Sequence, residues 1–263
     1  MTRRRLHRDL CLAILLSAAG HAQPVPSGIT GTWQVSAVLI DRGAPRTVLY
    51  GHNDPRLKGR IVRISPTSIE TDLPEDKRCR GLAIVSQRTA AAALIRSTMN
   101  SRNGGKSATP EDYGLGLASA APVDALWIRC SEGEMGPDGR DKGTWLVLLP
   151  DKRLAMRWYD ESILLLAPVP EGARSNPSFD CSKAASATER AICGSISLGS
   201  FDRSIAESYA TAGKRYRDDD DEAGLKSLRM SQQEWLAKRN ACGANVACLL
   251  DIMESRLEAL AQK

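Results

Sequence analysis

Gly172-Ala173-Arg174-Ser175-Asn176-Pro177 divides the chain into two patterns. Glycine, serine, asparagine and proline favour turns and irregular backbone, so residues 169–176 read as a linker. Before it, apolar residues come in short runs with turn residues between them. After it, they recur every three or four positions. The first pattern reads as antiparallel β-structure and the second as amphipathic helix. The expected fold class is therefore α+β in two domains, an antiparallel β-barrel or sandwich over residues 28–168 and a small helical bundle over 177–263. A length of 263 residues also exceeds that of a typical single domain.

On the C-terminal side, Ser186-x-x-Glu189 is a capping-box pattern that predicts a helix through Cys193. Phe201, Ile205, Tyr209 and Ala212 follow at helical spacing. So do Leu225, Leu228, Gln232 and Trp235, and then Val246, Leu249, Leu250, Met253, Leu257 and Leu260. Four short helices, each with one apolar face, are expected. So small a bundle has a limited core, and such units commonly need covalent support.

The cysteines can supply it. The chain has seven. Cys11 lies in an apolar leader, which leaves an even six: Cys79 and Cys130 in the first part, Cys181, Cys193, Cys242 and Cys248 in the second. In an exported protein that arithmetic reads as one bridge in the first part and two in the second. Four cysteines permit three pairings, and the sequence leaves all three open. The spacings Cys-x11-Cys and Cys-x5-Cys are not those of zinc sites and no histidine lies near them, so disulfides are expected rather than metal.

On the N-terminal side, Trp33, Val35, Ala37 and Leu39 alternate with Gln34 and Ser36, which places the four apolar residues on one face of a strand. Further strands are expected at Thr47–Tyr50, Arg60–Ile64, Ser68–Leu73, Val123–Cys130, Thr144–Leu149, Leu154–Tyr159 and Ser162–Leu166. The turn Pro150-Asp151-Lys152 should join two of these as a hairpin. Ser86–Met99 reads as a helix, with a serine able to cap its start. Arg102-Asn103-Gly104-Gly105-Lys106-Ser107 contains glycine-lysine-serine. A phosphate loop also needs a glycine where Asn100 stands, so this is read as an open loop. Gly133–Gly143 reads as a solvated turn. Its Glu134, Asp138 and Asp141, with Glu132, are too loosely spaced for a calcium loop.

Gly31-Thr32-Trp33 resembles the Gly-x-Trp that opens many lipocalin-like barrels, in which the tryptophan closes one end. That resemblance implies a barrel, and a barrel of about eight strands can hold one small apolar or amphipathic ligand.

The first residues carry Arg3, Arg4, Arg5 and Arg8, then the apolar run Leu10–Ala19, then Gly20-His21-Ala22. This is the pattern of a secretory signal peptide cut after Ala22. The apolar run is about ten residues long, well short of the roughly 20 that a membrane-spanning helix needs. Removing residues 1–22 takes away four arginines and Asp9, and the formal charge falls from +5 to +2. No clustered basic surface survives, which argues against nucleic-acid binding. The expected location is periplasmic or secreted.

Pro177-Ser178-Phe179-Asp180-Cys181, Thr188-Glu189-Arg190-Ala191-Ile192-Cys193, Leu198, Asp202, Tyr209 and Gln232-Gln233-Glu234-Trp235-Leu236-Ala237-Lys238-Arg239-Asn240-Ala241-Cys242 with Cys248 together resemble the lysozyme inhibitor LprI N-terminal domain. That family is a four-cysteine helical module of exported bacterial proteins. The resemblance spans roughly residues 177–260 and implies an envelope binding protein whose partner is lysozyme or another envelope protein. It transfers no inhibitory residue, because the matching positions are those that build the fold. Asp218, Asp219, Asp220 and Asp221, followed by Glu222, form the one run suited to a cationic partner. Such a run is otherwise a solvated corner.

After removal of the leader, His52 is the only histidine left, and it lies in the turn-like Tyr50-Gly51-His52-Asn53-Asp54-Pro55. With the cysteines paired and no nucleophile elbow in the sequence, nucleophilic catalysis has no obvious residues. No catalytic residue, metal or cofactor is therefore expected. The alternatives to an inhibitor are a small-ligand or wall-fragment carrier built on the β domain and, least favoured, an enzyme acting on wall polymer through two carboxylates that meet only in space.

Overall fold

The computed structural model describes residues 24–43, 49–75, 78–99, 105–137 and 143–262. The leader 1–22, residues 47–48 of the expected strand Thr47–Tyr50, residues 102–104 of the glycine-rich loop, and Asp138 and Asp141 lie outside the described residues.

Among the described residues the N-terminal part holds ten β-stretches: β1 Gly31–Leu39, β2 Ile61–Ile64, β3 Ser68–Thr71, β4 Arg78–Arg80, β5 Ala83–Ala90, β6 Pro122–Arg129, β7 Glu132–Gly133, β8 Trp145–Leu148, β9 Leu154–Arg157 and β10 Ile163–Pro168. They form one antiparallel sheet in the order β5-β6-β8-β9-β10-β1-β2-β3-β4-β7. Ala83 faces Arg129 and Arg80 faces Glu132, so β4 and β5 follow β7 and β6 in one register through a shared bend. Ser131 N bridges the bend to Arg80 O at 2.9 Å. Because β4 also pairs with β3 and β6 with β8, the sheet curls back on itself as a half-barrel and not as a two-sheet sandwich. The Cys79–Cys130 disulfide staples this corner, with Cα atoms 5.3 Å apart.

The concave face of the curl is filled. Trp33, Val35, Val62, Ile64, Ile69, Ile84, Leu126, Leu146, Leu154, Met156, Leu164 and Leu166 meet there with Leu57 and Trp158. The opposite face of the same strands, including Trp145, Val147, Ala155, Ile163 and Leu165, is covered by α1 Ala91–Thr98 and α2 Pro110–Tyr113. Burial on both faces is why β8, β9 and β10 read as unbroken apolar runs rather than alternating ones. The expected hairpin forms from β8 and β9, with Leu146 opposite Met156.

Several expectations are corrected. Trp33 and Val35 face the concave core, but the register of β1 against β10 slips between Val35 and Ala37. This β-bulge sends Leu39 to the opposite face and Val38 inward. Ser36 is the extra residue, and its hydroxyl donates to Leu165 O at 2.9 Å. One inserted residue reverses the side-chain alternation.

The helix expected at Ser86–Met99 starts only at Ala91, and its N-cap is Ala90 without a side-chain cap. Ser86–Ala90 are strand because β5 pairs with β6 along its whole length, from Ala83 opposite Arg129 to Ala90 opposite Pro122. The stretch Thr47–Tyr50 forms no strand in its described part. Leu49 N and Tyr50 N donate instead to the Asp160 carboxylate. Gly133–Gly143 is not all turn either, since Glu132–Gly133 pair with β4.

Residues 169–180 form neither helix nor strand. Beyond them lie a 3-10 turn at Cys181–Lys183 and the helices α3 Ala187–Cys193, α4 Ile196–Asp218, α5 Glu222–Ala241 and α6 Val246–Ala261. The expected count of four holds, but α4 and α5 are 23 and 20 residues long, not short. The predicted capping box is present, with Ser186 accepting from Glu189 N and Glu189 accepting from Ser186 N. The helices share a core of Ile192, Leu198, Phe201, Ile205, Leu228, Trp235, Leu249, Met253 and Leu257.

Candidate functional site

The pairing that the sequence left open is Cys181–Cys193 and Cys242–Cys248. The first ties the 3-10 turn to the end of α3, and the second ties the end of α5 to the first turn of α6. The motif residues complete this frame. Asp202, buried on α4, accepts from Ser178 N at 2.8 Å, from Ser178 Oγ at 2.6 Å and from Arg239 Nη1 at 3.4 Å. Arg239 lies 5.3 Å from the Trp235 ring centre and Arg256 5.9 Å from it. Trp235 Nε1 donates to Ile252 O, and Gln232 Oε1 accepts from Arg256 Nη2 at 2.8 Å. Burial pushes the Arg239 and Arg256 guanidiniums below their ordinary range, opposed at Arg239 by the Asp202 charge. Gln232, Trp235 and Arg239 therefore hold helices together.

The acidic run forms the α4–α5 corner and is exposed. Asp218 pairs with Lys214 one turn back. Asp221 is the N-cap of α5 and accepts from Gly224 N at 2.8 Å. Asp220 occupies the left-handed region at φ 54°. Asp219 and Asp220 have no side-chain partner among the described residues, so this corner presents net negative charge to solvent.

The sheet and the helices meet through residues that the sequence did not single out. Arg60 is fully buried, and its guanidinium stacks 3.4 Å from the centre of the Phe201 ring. Its Nη2 donates to Ser204 Oγ at 3.2 Å, while Nε and Nη1 find no acceptor among the described residues. Asp72 binds Ile61 N within the sheet and accepts from Ser197 Oγ on α4. Gln34 Nε2 donates to Ser200 Oγ at 2.8 Å. Arg56 joins Asp54 at 2.9 Å and reaches Glu258 on α6 at 3.3 Å. These side chains belong to unremarkable polar stretches, and only their position between two elements gives them a role.

Beside this seam lies a cleft of about 500 Å³. One wall is the loop that carries His52, Asn53, Asp54, Pro55 and Arg56. The other is the α4 stripe Glu207, Ser208, Thr211, Ala212 and Arg215, with Leu260 and Ala261 of α6 at the base and Leu49 also in the lining. His52 thus lines a cleft. The acidic residues 218–221 do not line it. Among the described residues no group of His, Cys, Asp and Glu is placed to hold a metal ion.

A filled half-barrel is docked on a disulfide-held helical bundle, with a charged corner and a cleft at the seam. The model of the family described as Lysozyme inhibitor LprI matches residues 181–260, from the first bridged cysteine to near the end of α6. That part of the chain is similar to the family. Comparison with curated proteins and with solved structures finds no match.

Proposed function

We propose that the chain is an exported cell-envelope binding protein that inhibits lysozyme by protein–protein contact, and not an enzyme. The observation that carries this reading is the match of residues 181–260 to the lysozyme inhibitor family. The three disulfides agree with an oxidising compartment. No described helix is long and apolar enough to cross a membrane. In this reading residues 1–22 are a cleaved signal peptide, 28–168 and 177–263 are the two domains and 169–176 joins them. The contact surface is the corner Asp218–Asp221. Like charges held at an exposed corner attract a strongly cationic partner such as an animal lysozyme.

The test is lysozyme-driven clearing of a wall suspension in the presence of the purified chain, oxidised or reduced, and of a variant with Asp218, Asp219, Asp220 and Asp221 all changed to Asn. The oxidised chain should slow clearing, and reduction should abolish the effect. The asparagine variant should inhibit weakly, with the difference shrinking as salt rises. Undiminished clearing at a large excess of the oxidised chain would remove the inhibitor reading.

A further inference from the structure

We infer that the cleft between the 52–56 loop and α4 is a binding site for a short zwitterionic peptide of about three residues with small side chains. This goes beyond the inhibitor reading and does not depend on it. The cleft volume of about 500 Å³ lies within the range of small-molecule sites, which favour the junctions between structural units.

Its charges are arranged in a specific way. Glu207 and Arg215 both line the α4 wall and have no side-chain partner among the described residues. Eight residues of helix set them about 12 Å apart along the axis, too far to pair with each other. Arg56 is already committed to Asp54 and Glu258, so Arg215 is the cation of the lining left for a ligand. An extended tripeptide spans at most about 11 Å. It places its ammonium at Glu207 and its carboxylate at Arg215.

The groups between these ends suit a peptide backbone. Ser208 Oγ donates to Ser204 O at 2.8 Å and Thr211 Oγ1 to Glu207 O at 2.9 Å. Both hydroxyl oxygens are thereby left as acceptors for peptide N–H groups. On the facing wall, Asn53 Oδ1 accepts from Val38 N at 3.1 Å, which turns Asn53 Nδ2 to His52 Nε2 at 3.2 Å. Arg42 Nη2 approaches the same His52 nitrogen at 3.3 Å. A nitrogen that accepts two N–H groups carries no proton, so in the neutral ring the N–H is on Nδ1, a donor for a peptide carbonyl. Ala212, Leu260 and Ala261 give the lining an apolar side that methyl-sized side chains can cover.

The experiment is calorimetric titration of the purified chain with tri-alanine, N-acetyl-tri-alanine and tri-alanine amide. Tri-alanine should bind, and blocking either end should weaken binding by at least about tenfold, the loss of one charge-assisted hydrogen bond. Glu207→Gln should erase the discrimination against the acetylated form and keep that against the amide, and Arg215→Gln should do the reverse. Both positions are exposed, and unchanged unfolding midpoints would show that the fold persists. Absence of tri-alanine binding, or equal binding of the blocked peptides to the unaltered chain, overturns the inference. Neither result bears on lysozyme inhibition.

Discussion

The guanidinium of Arg60, at the entry to β2, lies 3.4 Å above the ring of Phe201 on α4, and the arginine is fully buried. Among the described residues its charge has no ion-pair partner within contact distance, and two of its nitrogens lack an acceptor. Burial lowers its pKa to about 10, and the nearby charges of Asp72 and Glu254 only partly oppose the shift. Sheet and helices are joined by a group whose charged form is costly to bury.

Removing that charge while keeping the volume should therefore cost nothing. Arg60→Met is expected to leave stability unchanged or raise it by about 1–2 kcal/mol, as with other buried charges replaced by apolar residues. Arg60→Ala should instead lose about 2–4 kcal/mol through the cavity it opens. The folded-state pKa is depressed for a base, so above pH ~10 the folded chain releases this proton first and the unfolded state binds more protons. Wild-type stability should gain on Arg60→Met there. Denaturant unfolding of both variants at pH 7 and 10.5 reads all of this, and a methionine variant as unstable as the alanine one would refute it.

The three bridges should differ in their contribution to stability. They close loops with sequence separations of 51, 12 and 6 residues. Chain-entropy loss in the unfolded state scales with the logarithm of loop length, which gives about 4, 3 and 2 kcal/mol for Cys79–Cys130, Cys181–Cys193 and Cys242–Cys248. Paired Cys→Ser substitutions with guanidinium titration should reproduce that order. An inverted order would mean that packing at the bridge, not chain entropy, sets its value.

Glu189 accepts from Ala185 N and Ser186 N, both at 2.9 Å, and these bonds hold its carboxyl below the usual glutamate range. A carboxylate with a depressed folded-state pKa stabilises fully above its unfolded value and loses that effect as pH falls through the folded one. The stability advantage of wild type over Glu189→Gln should be constant above pH ~5 and vanish progressively below ~4. Circular dichroism melts of the two proteins across that window provide the check.

Gly59 adopts φ +85°, and a Cβ there would lie 2.7 Å from Ser200 Oγ on α4. Gly59→Ala should destabilise by about 1–2 kcal/mol from backbone strain alone, with a further loss from the crowded seam. Ser200→Ala alone loses the Gln34 hydrogen bond, so the two changes are read as a double-mutant cycle, in which Gly59→Ala should cost less in the Ser200→Ala background than in the wild-type one. If Gly59→Ala cost as much in both backgrounds, the close approach of loop and helix would not be a source of strain.

Much of this architecture was written locally. The change of period after Gly172, the Ser186–Glu189 capping box, the Pro150-Asp151-Lys152 hairpin and the division of cysteines between the halves each depend on residues a few positions apart. Local pattern misleads where partners are distant. Ser86–Ala90 have a helical composition, yet a full ladder with β6 made them strand. The bulge at Ser36 was invisible because it exists only against β10. Among the candidate site residues, the acidic run was legible because its charges are contiguous. The cleft was not, since His52 and Arg215 lie 163 positions apart.

The sequence by itself determined most of the element types, the cysteine arithmetic and the likeness of the last third to a known module, because hydrophobic period, capping and spacing act over one or two turns of chain. Tertiary structure alone decided which cysteines pair and that the half-barrel interior is filled rather than hollow. It also set Arg60 against Phe201 and opened a cleft between loop and helix. Those outcomes depend on side chains that meet across the fold, and no local pattern encodes the distance between them.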